Sequence, residues 1–187
     1  GVFEINSGSW STVRYWDVSY DTMEIEEEEV LEQTHQLLLD SARLNLVSDV
    51  EVGLSLSSGT DSTFLLKLLQ ASHSGKFRAF TFGFEKEDYD EIRRVRANNH
   101  LVGVKLEPVL MRKESMLAEL REAIPFFETP LGGLGTLSAY HMMKKVSQAG
   151  IKVTLAGEGA DEIFGGYRYY YAAFFKELES EPVSLKE

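Results

Sequence analysis

The sequence predicts an α/β domain: a doubly wound, mostly parallel sheet with helices on both faces. Segments with a two-residue apolar period alternate with segments of helical period along most of the chain. That alternation calls for crossover connections, which build parallel sheets. In addition, two of the strand-like segments run straight into loops of small and acidic residues, at 57–62 and 157–162.

The elements follow in order. Residues 1–20 are aromatic and polar, with short strand-like pieces such as Val2-Phe3-Glu4-Ile5, and read as a lead-in or linker. The acidic run 26–29 suits the first turn of a helix, where carboxylates meet the positive dipole end. Asp21 and Thr22 are candidate caps, and Leu31, Leu38 and Ala42 recur at helical spacing to about Leu46. Val50, Val52, Leu54 and Leu56 alternate with polar or small residues, a strand period. The polar cluster 57–62 follows, then a helix through Phe64-Leu65-Leu66 and Leu68-Leu69, closed near Gly75. Phe80, Phe82 and Phe84 mark a second strand, read as core rather than a stacking platform. Residues 90–102 read as a helix on Ile92, Val95 and Val102, and 104–109 as a third strand. Met116, Leu117, Leu120 and Ile124 suggest a helix ended by Pro125. Pro130, Gly132, Gly133 and Gly135 make 129–135 a loop. Residues 136–149 read as a helix stopped by Gly150, and Ile151, Val153 and Leu155 as a fourth strand. The tail from Phe174 trails into charge and Pro182, and a four-strand sheet with so ragged an end looks incomplete.

Composition narrows function. A chain of 187 residues can bury a core without a covalent or metal staple. Its formal charge of −11 repels phosphate backbones, which argues against a nucleic-acid binder but not against a nucleotide enzyme. With no cysteine, the chain has no disulfide scaffold, thiolate zinc site, iron–sulfur cluster or cysteine nucleophile. There is no apolar run of about 20 residues, so no membrane span is expected. No signal peptide is visible, and a cytoplasmic location is expected. Gly1 is not an initiator, so the natural protein is expected to be longer at both ends.

The two loops carry the chemical signal. In Ser57-Ser58-Gly59-Thr60-Asp61-Ser62, small residues let consecutive N–H groups converge where the next helix adds its own free N–H groups and dipole. Ser57 and Ser62 add hydroxyls. This is an anion cradle, though not a nucleoside-triphosphatase P-loop, which needs a longer loop and a lysine. Asp61 would repel phosphate unless a cation such as Mg²⁺ lay between. In Gly157-Glu158-Gly159-Ala160-Asp161-Glu162, glycines flank Glu158 and let the backbone approach a ligand. Each loop alone also reads as an ordinary capped helix start or polar turn. Together they fit the rule that open parallel sheets bind ligands beyond the carboxyl ends of strands. If strands one and four are neighbours, Asp61 and Asp161 approach each other and hold one metal ion.

The first loop resembles the Ser-Gly-Gly-x-Asp-Ser loop of the PP-loop ATP pyrophosphatases. The second, with Ile163-Phe164-Gly165-Gly166-Tyr167, resembles the narrower signature of the glutamine-hydrolysing asparagine synthetases. Weaker matches in the same order are Arg14-Tyr15-Trp16-Asp17, Ser48-Asp49-Val50-Glu51-Val52-Gly53, and Ala79-Phe80-Thr81-Phe82-Gly83-Phe84 with Asp90-Glu91. The resemblance implies a PP-loop pyrophosphatase-like fold and an ATP-dependent amidotransferase. A substrate carboxylate is adenylated with release of pyrophosphate, and ammonia then displaces AMP. It implies that Leu56, Ser57, Ser58, Gly59, Thr60, Asp61, Ser62, Phe82, Gly157 and Gly159 bind ATP or pyrophosphate. It places Mg²⁺ on Asp61 and Asp161, and it makes Glu158 the catalytic proton acceptor. The implied partners are a small-molecule carboxylate (aspartate or a relative) and ammonia from a glutaminase domain, with no nucleic acid or membrane; a homodimer is left open. Residues 1–20 would then come from that missing glutaminase domain, and 21–187 would be the synthetase domain without its C-terminal helices.

Departures matter. Ser58 stands where glycine is usual, which a negative φ would tolerate. The 128–138 region offers Thr136 and Ser138 but no arginine, so an acceptor other than free aspartate is an alternative. The downstream lysines, Lys176 and Lys186, match no catalytic position. A non-catalytic nucleotide-binding fragment is the second reading; an enzyme acting on tRNA would be basic. His35, His73, His100 and His141 show no ligand spacing, Lys144 and Lys145 read as solvent-facing, and Tyr167, Tyr169, Tyr170 and Tyr171 as packing against the missing helices or lining the site mouth.

Overall fold

The computed structural model describes residues 2–3, 12–19, 22–72, 76–84, 91–97 and 101–180. Asp21, His73, Gly75, Asp90, His100, Pro182 and Lys186, each given a part in the sequence reading, lie outside them. The chain divides into two compact units, Gly1–His35 and Gln36–Glu187.

In the first unit, β1 (Val2–Phe3) and β2 (Thr12–Val13) pair antiparallel, with Val2 opposite Val13. Helix α1 (Glu27–Asn45) opens with Glu27, Glu28 and Glu29 in its first turn, as the dipole favours. Thr22 lies five residues ahead of it and does not cap it. The carbonyl of Glu26 accepts the first bond, from Val30 N–H at 3.0 Å.

The second unit is built on a four-stranded sheet, β5-β4-β3-β6. The strands are β3 (Val52–Ser55), β4 (Phe77–Phe84), β5 (Val104–Met111) and β6 (Val153–Leu155), and every pairing among them is parallel. Helices α2 (Thr60–Ser72), α3 (Glu91–Ala97), α4 (Lys113–Phe127) and α5 (Leu134–Gln148) form the crossovers. Short α6 (Ala160–Phe164) and α7 (Arg168–Ser180) follow β6. The two-residue period of β4 sorts its side chains between two faces. Phe77 and Ala79 join Leu54, Leu66, Leu69, Val95 and Ala42, which covers one face with α2, α3 and the part of α1 from Gln36 on, which belongs to this unit. Phe80 packs with Val109, Val146 and Ile151, and Phe82 and Phe84 with Met111, Ala123 and Leu137, which covers the other with α4 and α5. Gly53 makes room for this: a Cβ there would lie 3.1 Å from Ile151 and 3.3 Å from the Phe80 ring.

The sequence reading is corrected in places. Val102 does not end a helix; it sits 82% exposed in a turn closed by Val104 N–H donating to Leu101 O at 3.0 Å, with Gly103 at φ 76°. Pro125 does not end α4. The helix runs to Phe127 because the rings of Phe126 and Phe127 pack on Tyr140, with centroids 5.3 and 5.9 Å away. Left-handed Glu128 then stops it, donating to Ile124 O. Helix α5 begins two residues early, at Leu134. The tail is helical as far as Ser180. Lys144 ties α5 to α4 through Glu122, at 2.6 Å.

At the amino ends of the strands, Arg78 Nε donates to Glu107 Oε1 at 2.7 Å and Nη1 to Ala149 O at 3.0 Å. The guanidinium holds the Glu107 carboxyl below the usual carboxylate range and is itself raised. A lowered folded value means stability that is complete above the unfolded pKa of about 4.3 and is lost as pH falls through the folded one. Glu107→Gln should therefore flatten the fall in melting temperature below about pH 4. An acid limb identical to that of the parent would exclude this role.

Candidate functional site

The strands β3, β4 and β6 end at one cavity of about 730 Å³. Strand order reverses between β3 and β6, since β4 and β5 continue on one side of β3 and β6 on the other. The cavity thus lies where open parallel sheets bind ligands, and its size is ordinary for a small-molecule site.

Its first wall is the loop from β3 into α2. Ser57 N–H donates to Ser62 Oγ at 3.1 Å, the two hydroxyls lie 2.8 Å apart, and Ser62 Oγ donates to Ser57 O at 2.9 Å. Gly59 N–H donates to Ser57 Oγ at 3.1 Å, and Ser58 N–H donates to Glu91 Oε1, reaching across from α3. The sequence reading has these N–H groups converging on an anion. In the structure the N–H groups of Ser57, Ser58 and Gly59 each have an acceptor from the protein itself. Among described non-glycine residues φ is positive at Glu128 alone, so Ser58 fits its place without strain. Gly59 is not left-handed either. Its small size serves the turn, because a Cβ would meet Ser57 Oγ at 3.1 Å.

The second wall is the loop from β6 into α6. Pairing of Leu54 with Leu155 brings it beside the first. The loops touch at Gly157, where a Cβ would lie 3.0 Å from Asp61 Cβ and 3.1 Å from Ser62 N. Gly159, at φ 90°, turns the chain into α6. Asp161 is folded over Gly166, whose N–H donates to Asp161 O at 3.0 Å; a Cβ on Gly166 would fall 1.9 Å from Asp161 Oδ1.

Leu56, Ser57, Gly59, Asp61, Ser62, Phe82, Gly157, Glu158, Gly159 and Asp161 all line this cavity, whereas Ser58 and Thr60 do not. The sequence reading quoted Gly83, Phe84, Glu91 and Glu162 in its motif matches but gave them no site role, and it missed Ser55, Leu134, Gly135, Met142 and Ala156 as lining residues. Leu134, Ser138 and Met142 were findable, being spaced by four on one helix. Glu91 was not, since nothing local links it to Ser58. Tyr167 lines the cavity, while Tyr169, Tyr170 and Tyr171 are exposed.

Among the described residues the lining holds five carboxylates, Asp61, Glu91, Glu158, Asp161 and Glu162, and no lysine, arginine or histidine. A polyphosphate therefore needs an accompanying cation to enter. Among the described residues no cluster of three or more potential ligands stands ready for a metal. Asp61 and Asp161 offer hard oxygens that suit Mg²⁺, which commonly takes one or two carboxylates and completes its shell with water and phosphate. Tyr167 donates its hydroxyl to Glu162 Oε1 at 2.6 Å. That bond pushes the Tyr167 pKa up to about 12 and holds Glu162 below its usual range, so the pair stays neutral phenol and carboxylate at neutral pH. His141 lies outside the cavity, its Nδ1 2.5 Å from Glu119 Oε2.

The asparagine synthase family model matches residues 33–185. The chain belongs to the asparagine synthase family. It is similar to asparagine synthetase [glutamine-hydrolyzing] 1 of Bacillus subtilis, 28% identical over 99% of this chain and 29% of that protein. It is 31% identical to amidase chyE of Penicillium rubens over 90% of this chain and 27% of the relative. It is 32% identical to asparagine synthetase B of Escherichia coli over 81% and 30%. The asparagine synthase family chain thus spans under a third of the length of these relatives. No helix among its described residues is long and apolar enough to cross a membrane.

Proposed function

We propose that residues 21–187 are the ATP-pyrophosphatase domain of a glutamine-dependent amidotransferase, with 1–20 leading in from a glutaminase domain. The observation that supports it most is the contact of the two loops at Gly157 and Asp61, which makes one cavity of both motifs. ATP lies with its adenosine toward Leu56, Phe82 and Gly157 at the strand ends. Its β- and γ-phosphates lie toward Ser57, Gly59 and Ser62 and the backbone N–H of Ser58, with Thr60 and Gly159 shaping the loops. Asp61 and Asp161 would hold the Mg²⁺, which neutralises charge on the leaving pyrophosphate.

In the first step the acceptor carboxylate oxygen bonds to the α-phosphorus of ATP as the bond to pyrophosphate breaks. In the second, ammonia attacks the acyl carbon, Glu158 takes its proton, and AMP leaves with the bonding pair. Orienting the reactants supplies much of the rate. The acceptor is aspartate or a relative. Leu134 and Met142 flank Ser138 on the α5 wall, and among the described lining residues no cation stands ready for a second carboxylate. Both favour an acceptor with an apolar body over free aspartate.

Calorimetry tests the reading directly on this chain. Mg·ATP should bind, and ATP with a chelator should not. A folded sample that takes up neither would sink the proposal.

A further inference from the structure

We propose that Glu91 is a built-in competitor for the anion site of the 57–62 loop. Its carboxylate occupies the Ser58 N–H that a phosphate oxygen would otherwise take, so binding requires its release. The inference rests on reading that loop as a pyrophosphate site.

Three N–H groups of the loop are paired within the protein, and they are not paired alike. Those of Ser57 and Gly59 go to the neutral hydroxyls of Ser62 and Ser57, which belong to the loop itself. That of Ser58 goes to an anion carried in from α3, 33 residues along the chain. A carboxylate oxygen and a phosphate oxygen offer an amide the same charge-assisted bond, so the two ligands exclude each other at this donor. Glu91 lines the cavity, and Asp61, Glu158, Asp161 and Glu162 share it. With four other carboxylates present, keeping Glu91 in place while a polyphosphate arrives adds repulsion to the competition. Release therefore favours an anion that brings its own divalent cation, which sets Mg·pyrophosphate apart from free phosphate.

The arithmetic is that of a masked site: apparent affinity is the intrinsic one reduced by the fraction of molecules with the donor free. If Glu91 holds Ser58 in about nine molecules of ten, removing it tightens binding roughly tenfold.

The test titrates Mg·pyrophosphate into the parent chain, Glu91→Gln and Glu91→Ala by calorimetry, and follows Ser58 amide exchange by NMR in each. The expected result is binding about tenfold tighter in Glu91→Ala and intermediate in Glu91→Gln. Without pyrophosphate the Ser58 amide should exchange faster in both variants than in the parent. Equal or weaker binding in both variants overturns the proposal and makes Glu91 a prop for the loop. An unchanged Ser58 amide overturns it by removing the bond. If no protein binds pyrophosphate while the amide responds as expected, the pyrophosphate reading of the loop fails, and the competition with it.

Discussion

Asp61→Asn and Asp161→Asn should each weaken Mg·ATP binding by about 10- to 100-fold while leaving the fold intact. The loss of one charged ligand from a two-carboxylate site is on the scale of a charge-assisted bond, roughly 1.5–3 kcal/mol. Asparagine keeps the shape of the side chain, and the carboxylate it replaces sits among like charges, so melting temperature should hold or rise slightly. Metal-free ATP should bind either variant no worse than the parent, because repulsion has been relieved. That sign difference separates lost coordination from a damaged loop. Binding of Mg·ATP unaffected by either change would exclude the two-carboxylate model.

Gly157→Ala is the second large effect. The new methyl would stand 3.0 Å from Asp61 Cβ, 3.1 Å from Ser62 N and 3.2 Å from Asp61 C. Two of these are backbone atoms at the start of α2 and cannot swing aside. The loops must part, at an overpacking cost of about 1–3 kcal/mol, and both the stability and the nucleotide affinity should fall together. Gly135→Ala is the control for stability. A Cβ there meets nothing within 4 Å and lies inside α5, so a gain of about 0.4–1 kcal/mol is expected. Thermal melts read both; a Gly157→Ala protein as stable as the parent would show that the loops are not in contact.

The sheet was legible because burial writes a simple period into β4: Phe80, Phe82 and Phe84 fall on one face, and all four strands were located. Both loops were legible because glycine and small polar residues cluster where backbone must approach something. The misses have physical causes. Pro125 is a local signal overruled by aromatic packing from another helix. Val102 has helical spacing, but Gly103 at φ 76° commits that stretch to a turn. Glu91 reaches Ser58 only because α3 follows the neighbouring strand, and no spacing rule spans 33 residues. The aromatic tail read as ragged because it runs into charge and Pro182, although its helix continues to Ser180 with Tyr169, Phe174 and Phe175 more than half exposed.

The short strand β6 has a consequence for how the site comes into being. Val52 meets Val153 about a hundred residues along the chain, while Gly53 meets Arg78 after about 25. Two doublings of loop length add roughly 1 kcal/mol of closure entropy, and only three ladder positions on β6 repay it, against eight on β5. The order of assembly on these grounds is β3, β4 and β5 first, with one face of the core already formed. The cavity, whose second wall hangs from β6, comes into existence with the last and weakest docking step. A molecule that has every strand but that one is nearly folded and has no site at all.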